Sequence, residues 1–367
     1  MAPRNHKNWT ATPKVEHISS EAYNSHYLYE QEQELIFSKV WVPMCHKSEL
    51  PNPGNFRITQ IAGQNVIAIN NGDDIKTYLN PGKFNTPAGS MTRVQFLMDD
   101  YTPLHTEVKH GGMVWTTLNK NPDCSVDEWT AGAFDCIAEA IDTEEMEVFH
   151  YHKAVIDTNY KLWHDTNSEF YHDFMHYFNR VSGFNDEYFA RKNIPFDNGH
   201  VNVSSFTVNY EEYDGFEDRG ELSFPNLPPN QWYMVDLFPG FNFNLRGSAY
   251  RSDSVTPLGP NKVLIEFRGY GLQKDTPEER QTRIKHHNSI WGPFGRNLHE
   301  DLIGVAGQGT TMREGTESRN ILHGRHENST IHDEVGMRHY YAEWGNFLGV
   351  DPANPLQGQL QNVSKAA

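Results

Sequence analysis

The stretch Asn159–His176 reads NYKLWHDTNSEFYHDFMH. Asp157, Thr158 and Asn159 offer capping side chains for a helix predicted from Tyr160 to about Phe178. On one helix, Glu169, His172 and His176 fall at i, i+3 and i+7 and share a face. Two imidazoles four residues apart can both point at one ion. Such a pair alone is what chance placement of 19 His in 367 residues would give, so its surroundings decide its weight. It sits beside Glu169 in a segment rich in aromatics, among which Tyr171 reads as packing.

Outward from this segment, composition sets limits. A formal net charge of −17 argues against a nucleic-acid partner, whose phosphates want Lys and Arg. It fits solubility and a basic partner surface. Three cysteines, Cys45, Cys124 and Cys136, are too few for a disulfide framework, and none forms a CxxC pair. They read as reduced thiols of a cytoplasmic protein. No apolar run approaches the ~18–20 residues of a membrane span. The first residues lack the apolar core of a secretory signal.

The pattern of elements predicts an α+β chain. Ser20 to Val40 reads as helix. Asn55–Ile61, Asn65–Asn70, Ile75–Leu79 and Gly112–Leu118 read as strands of a small antiparallel β unit, with Ala62-Gly63 and Asn71-Gly72 as turns. Ser125 and Glu128 have capping-box spacing for a helix to about Ala140. Val148–Ile156 and much of Val201–Gly271 are strand-like. Helices are expected at Thr276 to Trp291, Leu298 to Gly307 and Glu334 to Phe347. A long sheet with helices before and after it is an α+β arrangement.

The order Asn159-Tyr160-Lys161, Asp165, Glu169, Tyr171-His172 and His176 resembles the iron-binding helix of Rieske-type ring-hydroxylating oxygenase α subunits. The His–His gap holds three residues here, where many members have four. Further pieces resemble the family in the same order. They are Ile36-Phe37 through Trp41, His46 to Leu50, Gly54-Asn55-Phe56, His110 to Trp115, and His332 to Arg338 with Tyr340, Tyr341 and Trp344. The resemblance implies a small Rieske-like antiparallel β domain (41–120) after an N-terminal lead-in and helix (1–40). A helix-grip (START/Bet v 1-like) catalytic domain with a long antiparallel sheet (121–367) would follow.

It also implies a mononuclear Fe(2+) held by His172, His176 and a distant carboxylate. The acidic pair Glu300-Asp301 after Gly292-Pro293-Phe294-Gly295 matches, with Asp301 favoured and Glu300 the alternative. Two imidazoles and one carboxylate leave positions open for O2 and substrate. Glu169 matches the carboxylate that in the family links iron to a neighbouring subunit's cluster. Here it would serve as a general base or orient His172. Asn167 is a candidate polar contact. Phe224, Phe238, Phe241 and Phe243 would wall an apolar pocket.

A Rieske cluster needs Cys-x-His and Cys-x-x-His loops. After Thr77-Tyr78-Leu79-Asn80 comes Pro81 to Thr86, with neither residue, and Val108–Thr117 follows soon after. Cys45-His46 is adjacent, and Cys124 and Cys136 lie near the capped helix. The expectation is therefore no [2Fe–2S] cluster. Without one, the leading expectation is an Fe(II) dioxygenase whose electron-rich aromatic substrate (catechol, hydroquinone or aminophenol type) supplies all the electrons for O2. The alternatives are a cluster-less subunit fed by a partner subunit or reductase, a non-catalytic structural subunit, or a metal-dependent hydrolase or isomerase. The family implies a homotrimer or an α/β hetero-oligomer.

Overall fold

The computed structural model describes residues 15–80, 101–217, 219–315, 318–322 and 330–357. The chain opens with β1 (His17–Ser19), α1 (Glu21–Asn24) and α2 (His26–Glu32), which runs into a π turn at Gln33–Phe37. The helix expected from Ser20 is thus in pieces. Ser25 is extended and caps α2, its hydroxyl accepting the Leu28 N–H at 3.3 Å, and a side chain that caps starts a new helix rather than continuing one.

Six strands follow: β2 (Val42–His46), β3 (Phe56–Ile61), β4 (Gln64–Asn70), β5 (Ile75–Leu79), β6 (Thr102–Lys109) and β7 (Met113–Thr117). They form an antiparallel sheet in the order β2-β7-β6-β5-β4-β3. Ala62 and Gly63 both have positive φ (48° and 71°), as a tight hairpin between β3 and β4 requires. The stretch Pro81–Thr86 falls between β5 and β6 and lies outside the described residues. The capping box of Ser125 and Glu128 is present, but α3 (Val126–Thr130) ends after about a turn. Ala131 turns left-handed there (φ 54°), and α4 (Ala138–Asp142) starts separately.

The second sheet is built from β8 (Met146–Ile156), β9 (Asn193–Pro195), β10 (Val201–Thr207), β11 (Gln231–Leu237), β12 (Phe241–Arg246), β13 (Ala249–Gly259) and β14 (Lys262–Leu272). Its order is β8-β14-β13-β12-β11-β10-β9, all antiparallel. Between β8 and β9 lie α5 (Tyr160–Ser168), a 3-10 turn (Tyr171–Met175), α6 (Tyr177–Ser182) and α7 (Asp186–Ala190). After β14 come α8 (Pro277–Ile290), α9 (Arg296–Glu314), β15 (Arg319–Ile321), which pairs with β1, and α10 (Val335–Leu348). No described helix is long and apolar enough to cross a membrane.

Strand register decides what each face of this sheet carries, because side chains alternate. Asn242, Asn244 and Arg246 of β12 lie across from Asp236, Met234 and Trp232 of β11 and from Asp253, Arg251 and Ala249 of β13. These residues share one face. Helix α5 packs on it, where Asp236 takes Ser168 Oγ (2.7 Å) and His164 Nδ1 (3.0 Å). Phe241 and Phe243 point the other way. Phe243 meets Trp115 and Phe134 on the side of the small sheet. Phe238 stacks on Phe347, and Phe224 lies under the Arg283 guanidinium. The expected apolar pocket wall from these four residues is therefore not formed. A one-residue step along a strand reverses the face, and Phe241 and Phe243 occupy the odd positions of β12, while Phe224 and Phe238 lie outside the strands.

Two buried polar knots tie the ends of the chain to α5. Lys161 bonds the Glu32 carboxylate, which also accepts Trp344 Nε1 at 2.8 Å. Burial pushes the Glu32 pKa up and the Lys161 pKa down, each partner opposing that shift in the other. Asp165 accepts from Tyr23 Oη (2.9 Å), Tyr341 Oη (3.0 Å) and Asn320 Nδ2 (3.2 Å). Removing one member of a buried pair leaves the other uncompensated. Lys161→Met is expected to lower stability by about 3–5 kcal/mol, read by urea unfolding. Glu32→Gln combined with Lys161→Met should recover part of that loss, and a double variant as unstable as the sum of the singles would contradict the pairing.

Candidate metal centre

Helix α5 starts where Asn159 caps Lys161 N–H (2.9 Å) while its amide donates to the Tyr23 and Pro260 carbonyls. The single helix expected to reach Phe178 breaks instead at Glu169, which is extended (φ −106°, ψ 117°). Its carboxylate takes the N–H groups of Tyr171 and His172 (3.3 Å to the latter). A side chain that binds nearby backbone in this way competes with the helix. His176 is extended as well (φ −73°, ψ 123°) and starts α6. The two imidazoles thus meet at a corner in the chain rather than along one helix face.

Asp301 reaches this corner from α9. The turn into α9 needs Gly295, where a Cβ would lie 2.5–2.6 Å from the Ile290 carbonyl group. Asp301 Oδ1 stands 2.9 Å from His176 Nε2 and 3.5 Å from His172 Nε2. Metal–ligand bonds of ~2.1 Å place neighbouring ligand atoms about 3 Å apart, which is the separation seen. Glu300 turns elsewhere, with Oε2 2.9 Å from His176 Nδ1. His172 Nδ1 faces the Glu169 carbonyl oxygen. Each Nδ1 has an acceptor, so both Nε2 lone pairs are left for an ion, the usual backing of metal-ligating His. Asp301 Oδ1 is buried with no hydrogen-bond donor of suitable geometry, as an oxygen reserved for a cation would be.

Sequence reasoning missed Asp173, which also comes close: a carboxylate oxygen and one nitrogen from each His lie within 4.8 Å of one another. Its oxygens are occupied by Asn179 Nδ2 (2.9 Å) and Tyr188 Oη (2.8 Å), with Arg191 at 3.6 Å, and it stands 4.0 Å from His172 Nε2. Asp301 is the better-placed carboxylate. The HDxxH spacing was the signal for Asp173. Asn167 stays on α5, buried, its amide donating back to the Trp163 carbonyl (3.2 Å), and the described contacts do not tie it to the His172–His176–Asp301 cluster. Glu169 and His172 line a cleft of about 380 Å³ with Met175, Asp301 and Gly304.

Electrostatics follow the geometry. Burial resists charge on His172 and His176, but Asp301 outweighs it and holds both above the ordinary imidazole range. Glu169 adds to this at His172. Burial would raise Asp301, and the two imidazoles instead hold it well below the usual carboxylate range.

Beside it lies the polar sheet face. Arg246 Nη2 donates to Asn297 Oδ1 (3.4 Å), one helical turn before Asp301 on α9. Arg251 pairs with Asp253 at 2.7 Å. Burial pushes Asp253 up to about 7 although Arg251 opposes it. The period-2 alternation in NFNLR and YRSDS carried this signal.

The family described as ring hydroxylating alpha subunit (catalytic domain) matches residues 143–349. The methanesulfonate monooxygenase hydroxylase subunit alpha of Methylosulfonomonas methylovora is 55% identical over 403 aligned positions, covering 97% of each chain. The 2-aminobenzenesulfonate 2,3-dioxygenase subunit alpha of an Alcaligenes species is 31% identical, covering 90% of this chain and 93% of its own. In three dimensions, naphthalene 1,2-dioxygenase from a Rhodococcus species superposes with a TM-score of 0.72 at 16% identity, covering 90% of this chain and 94% of that one.

Metal and protons compete for His172 and His176, so affinity for Fe(II) should fall as pH falls, by up to about tenfold per unit for each proton displaced. Anaerobic Fe(II) titration from pH 8 to 6 checks this. His176→Ala and Asp301→Ala should abolish binding while Glu300→Gln weakens it only about 10–100-fold. Unchanged binding in Asp301→Ala would remove it from the ligand set.

Proposed function

Because this chain belongs to the family of ring-hydroxylating oxygenase α subunits, whose catalytic site uses mononuclear non-haem iron, we propose that it hydroxylates a small sulfonate at His172, His176 and Asp301. The enzyme class is that of an oxygenase. The observation that carries the substrate reading is the sheet face beside the cluster, which presents Asp236, Asn242, Asn244, Arg246, Arg251 and Asp253. An aromatic hydrocarbon would want an apolar wall there. Both curated relatives described above have a sulfonate in their names. A catechol or hydroquinone, the leading expectation from sequence, has no matching support.

The donor set fits iron: two neutral imidazole Nε2 atoms and one carboxylate oxygen within coordination reach. Iron bound there would activate O2 and bear the negative charge that develops during reduction. The protein's own groups do the rest. Glu300 and the Glu169 carbonyl fix the two rings. Asp301 would supply the anionic ligand from α9. Glu169, at the cleft, is placed to relay a proton between solvent and the corner.

A [2Fe–2S] cluster does not fit the described residues. The three thiols are free. Burial pushes Cys45 above its usual range, Cys124 up to about 11 and Cys136 up to about 12, whereas a ligand must be a thiolate. Residues 81–100 contain neither Cys nor His. The 403-position alignment with the methanesulfonate relative exceeds the 367 residues here, so that relative carries segments this chain lacks. The six-stranded sheet is, in this reading, the remnant of a cluster-binding domain.

The overall change is RCH2SO3⁻ + O2 + 2 e⁻ + 2 H⁺ → RCH(OH)SO3⁻ + H2O. The product is the bisulfite adduct of an aldehyde and can release sulfite. An alkanesulfonate supplies only the two electrons of its C–H bond, so two more must come from a partner subunit or reductase. That favours the partner-fed alternative over a self-sufficient dioxygenase.

Anaerobically reconstituted protein should hold about one iron per chain, against about three were a cluster present. With a reductant and an electron carrier, methanesulfonate should elicit matched O2 uptake and sulfite release, and catechol should not. Turnover of catechol alone, or sulfite release without O2, would reverse the reading.

A further inference from the structure

Arg246 ends β12 on the polar sheet face and is only 8% exposed. Among the described residues its guanidinium has no carboxylate partner, and its Nε has no hydrogen-bond acceptor. Its one hydrogen bond is the 3.4 Å contact with the neutral Asn297 amide. The neighbouring buried arginines are different: Arg251 has Asp253 at 2.7 Å and Arg191 has Asp173 at 3.6 Å. Three aromatic rings surround the Arg246 guanidinium, Trp291 at 5.2 Å, Phe178 at 5.4 Å and Trp232 at 5.9 Å. Burial lowers its pKa, while Asp173 and Asp301 among its charged neighbours raise it.

A buried cation without a counter-ion is costly unless something compensates it. The carboxylates within reach are already engaged, Asp301 by two imidazoles and Asp173 by Tyr188, Asn179 and Arg191. A metal ion at the His–Asp corner would add positive charge to the same region. The missing partner is therefore an anion brought by a ligand. The planar fork of a guanidinium suits two oxygens of one group.

We propose that Arg246 is the anion anchor of the substrate site, holding the sulfonate of a small alkanesulfonate so that its carbon is directed toward the His172–His176–Asp301 corner. This rests on the sulfonate reading above. It assigns the recognition to one side chain that touches no metal ligand directly. A merely structural Arg246 would brace its aromatic neighbours through cation–π contact and would not distinguish an anion from a neutral molecule of the same shape.

The test is titration calorimetry on the full chain under argon, with methanesulfonate, acetate, inorganic sulfate and dimethyl sulfone as probes. Dimethyl sulfone is the neutral isostere. The wild type should prefer methanesulfonate to dimethyl sulfone by on the order of tenfold to a hundredfold, the worth of a charged hydrogen bond. Arg246→Met should erase that preference while leaving dimethyl sulfone binding in place. If Arg246→Met does not fold by circular dichroism, Arg246→Lys decides, with a loss of roughly tenfold expected from losing the fork.

Equal weakening toward both probes would make Arg246 structural and overturn the anchor, as would unchanged methanesulfonate binding in a folded variant or absence of anion binding in the wild type. Arg246-dependent binding of acetate or sulfate without methanesulfonate would uphold the anchor and overturn the sulfonate reading.

Discussion

A carboxylate held between two imidazoles demands that three side chains keep their positions to within a fraction of an ångström. Asp301 comes from α9, and His172 and His176 come from the corner after α5. The corner is a short 3-10 turn, so its position depends on the helix before it. Ser168 and His164 pin α5 to Asp236 on the sheet. Asp165 binds tyrosines from α1 and α10, and Lys161 binds Glu32 of α2. Four polar residues of one short helix thereby tie together the start, the middle and the end of the chain. Each knot is buried, and in low dielectric a satisfied polar network is rigid where an apolar contact could slide. That rigidity is what a metal site needs from its supports.

The same logic separates the two faces of the large sheet. One face is ordinary core, with Phe243 against Trp115 and Phe134. The other carries charges and amides that an enzyme for hydrocarbons would have no reason to bury. Such groups are costly without partners, and Asn242 lacks a partner for both polar atoms of its amide. A polar ligand of the kind proposed would meet that capacity.

Much of this was legible in the sequence. Strands with clear alternation and helices with capping boxes appear where expected, as at Gln64–Asn70 and Pro277–Ile290. The residues proposed as ligands were picked out by their order and chemistry, and the structure brings His172, His176 and Asp301 together. The geometry that unites them was not legible. A continuous helix through Glu169 satisfies local propensity, and only the Glu169 side chain turning onto the backbone of Tyr171 and His172 breaks it. The pocket wall failed for a different reason. Phe241 and Phe243 are as apolar as any core residue, and the face they occupy depends on which of two alternating registers meets α5. That choice is made by long-range packing, with Asp236 drawn to Ser168 and His164, and no local pattern records it.

The substrate and the electron supply are one question. A chain that acts on a substrate able to give four electrons needs no donor. The proposed sulfonate is saturated and charged and gives only two. In the proposed reading the other two come from a docked donor. The cleft lined by Glu169 and His172 opens within a patch where Tyr171, Phe174 and Met175 expose apolar side chains. The strongly acidic chain around it favours a basic visitor. Charge would then act twice at this site. In the proposed reading, the negative chain would attract the electron donor, and Arg246 would hold the substrate anion.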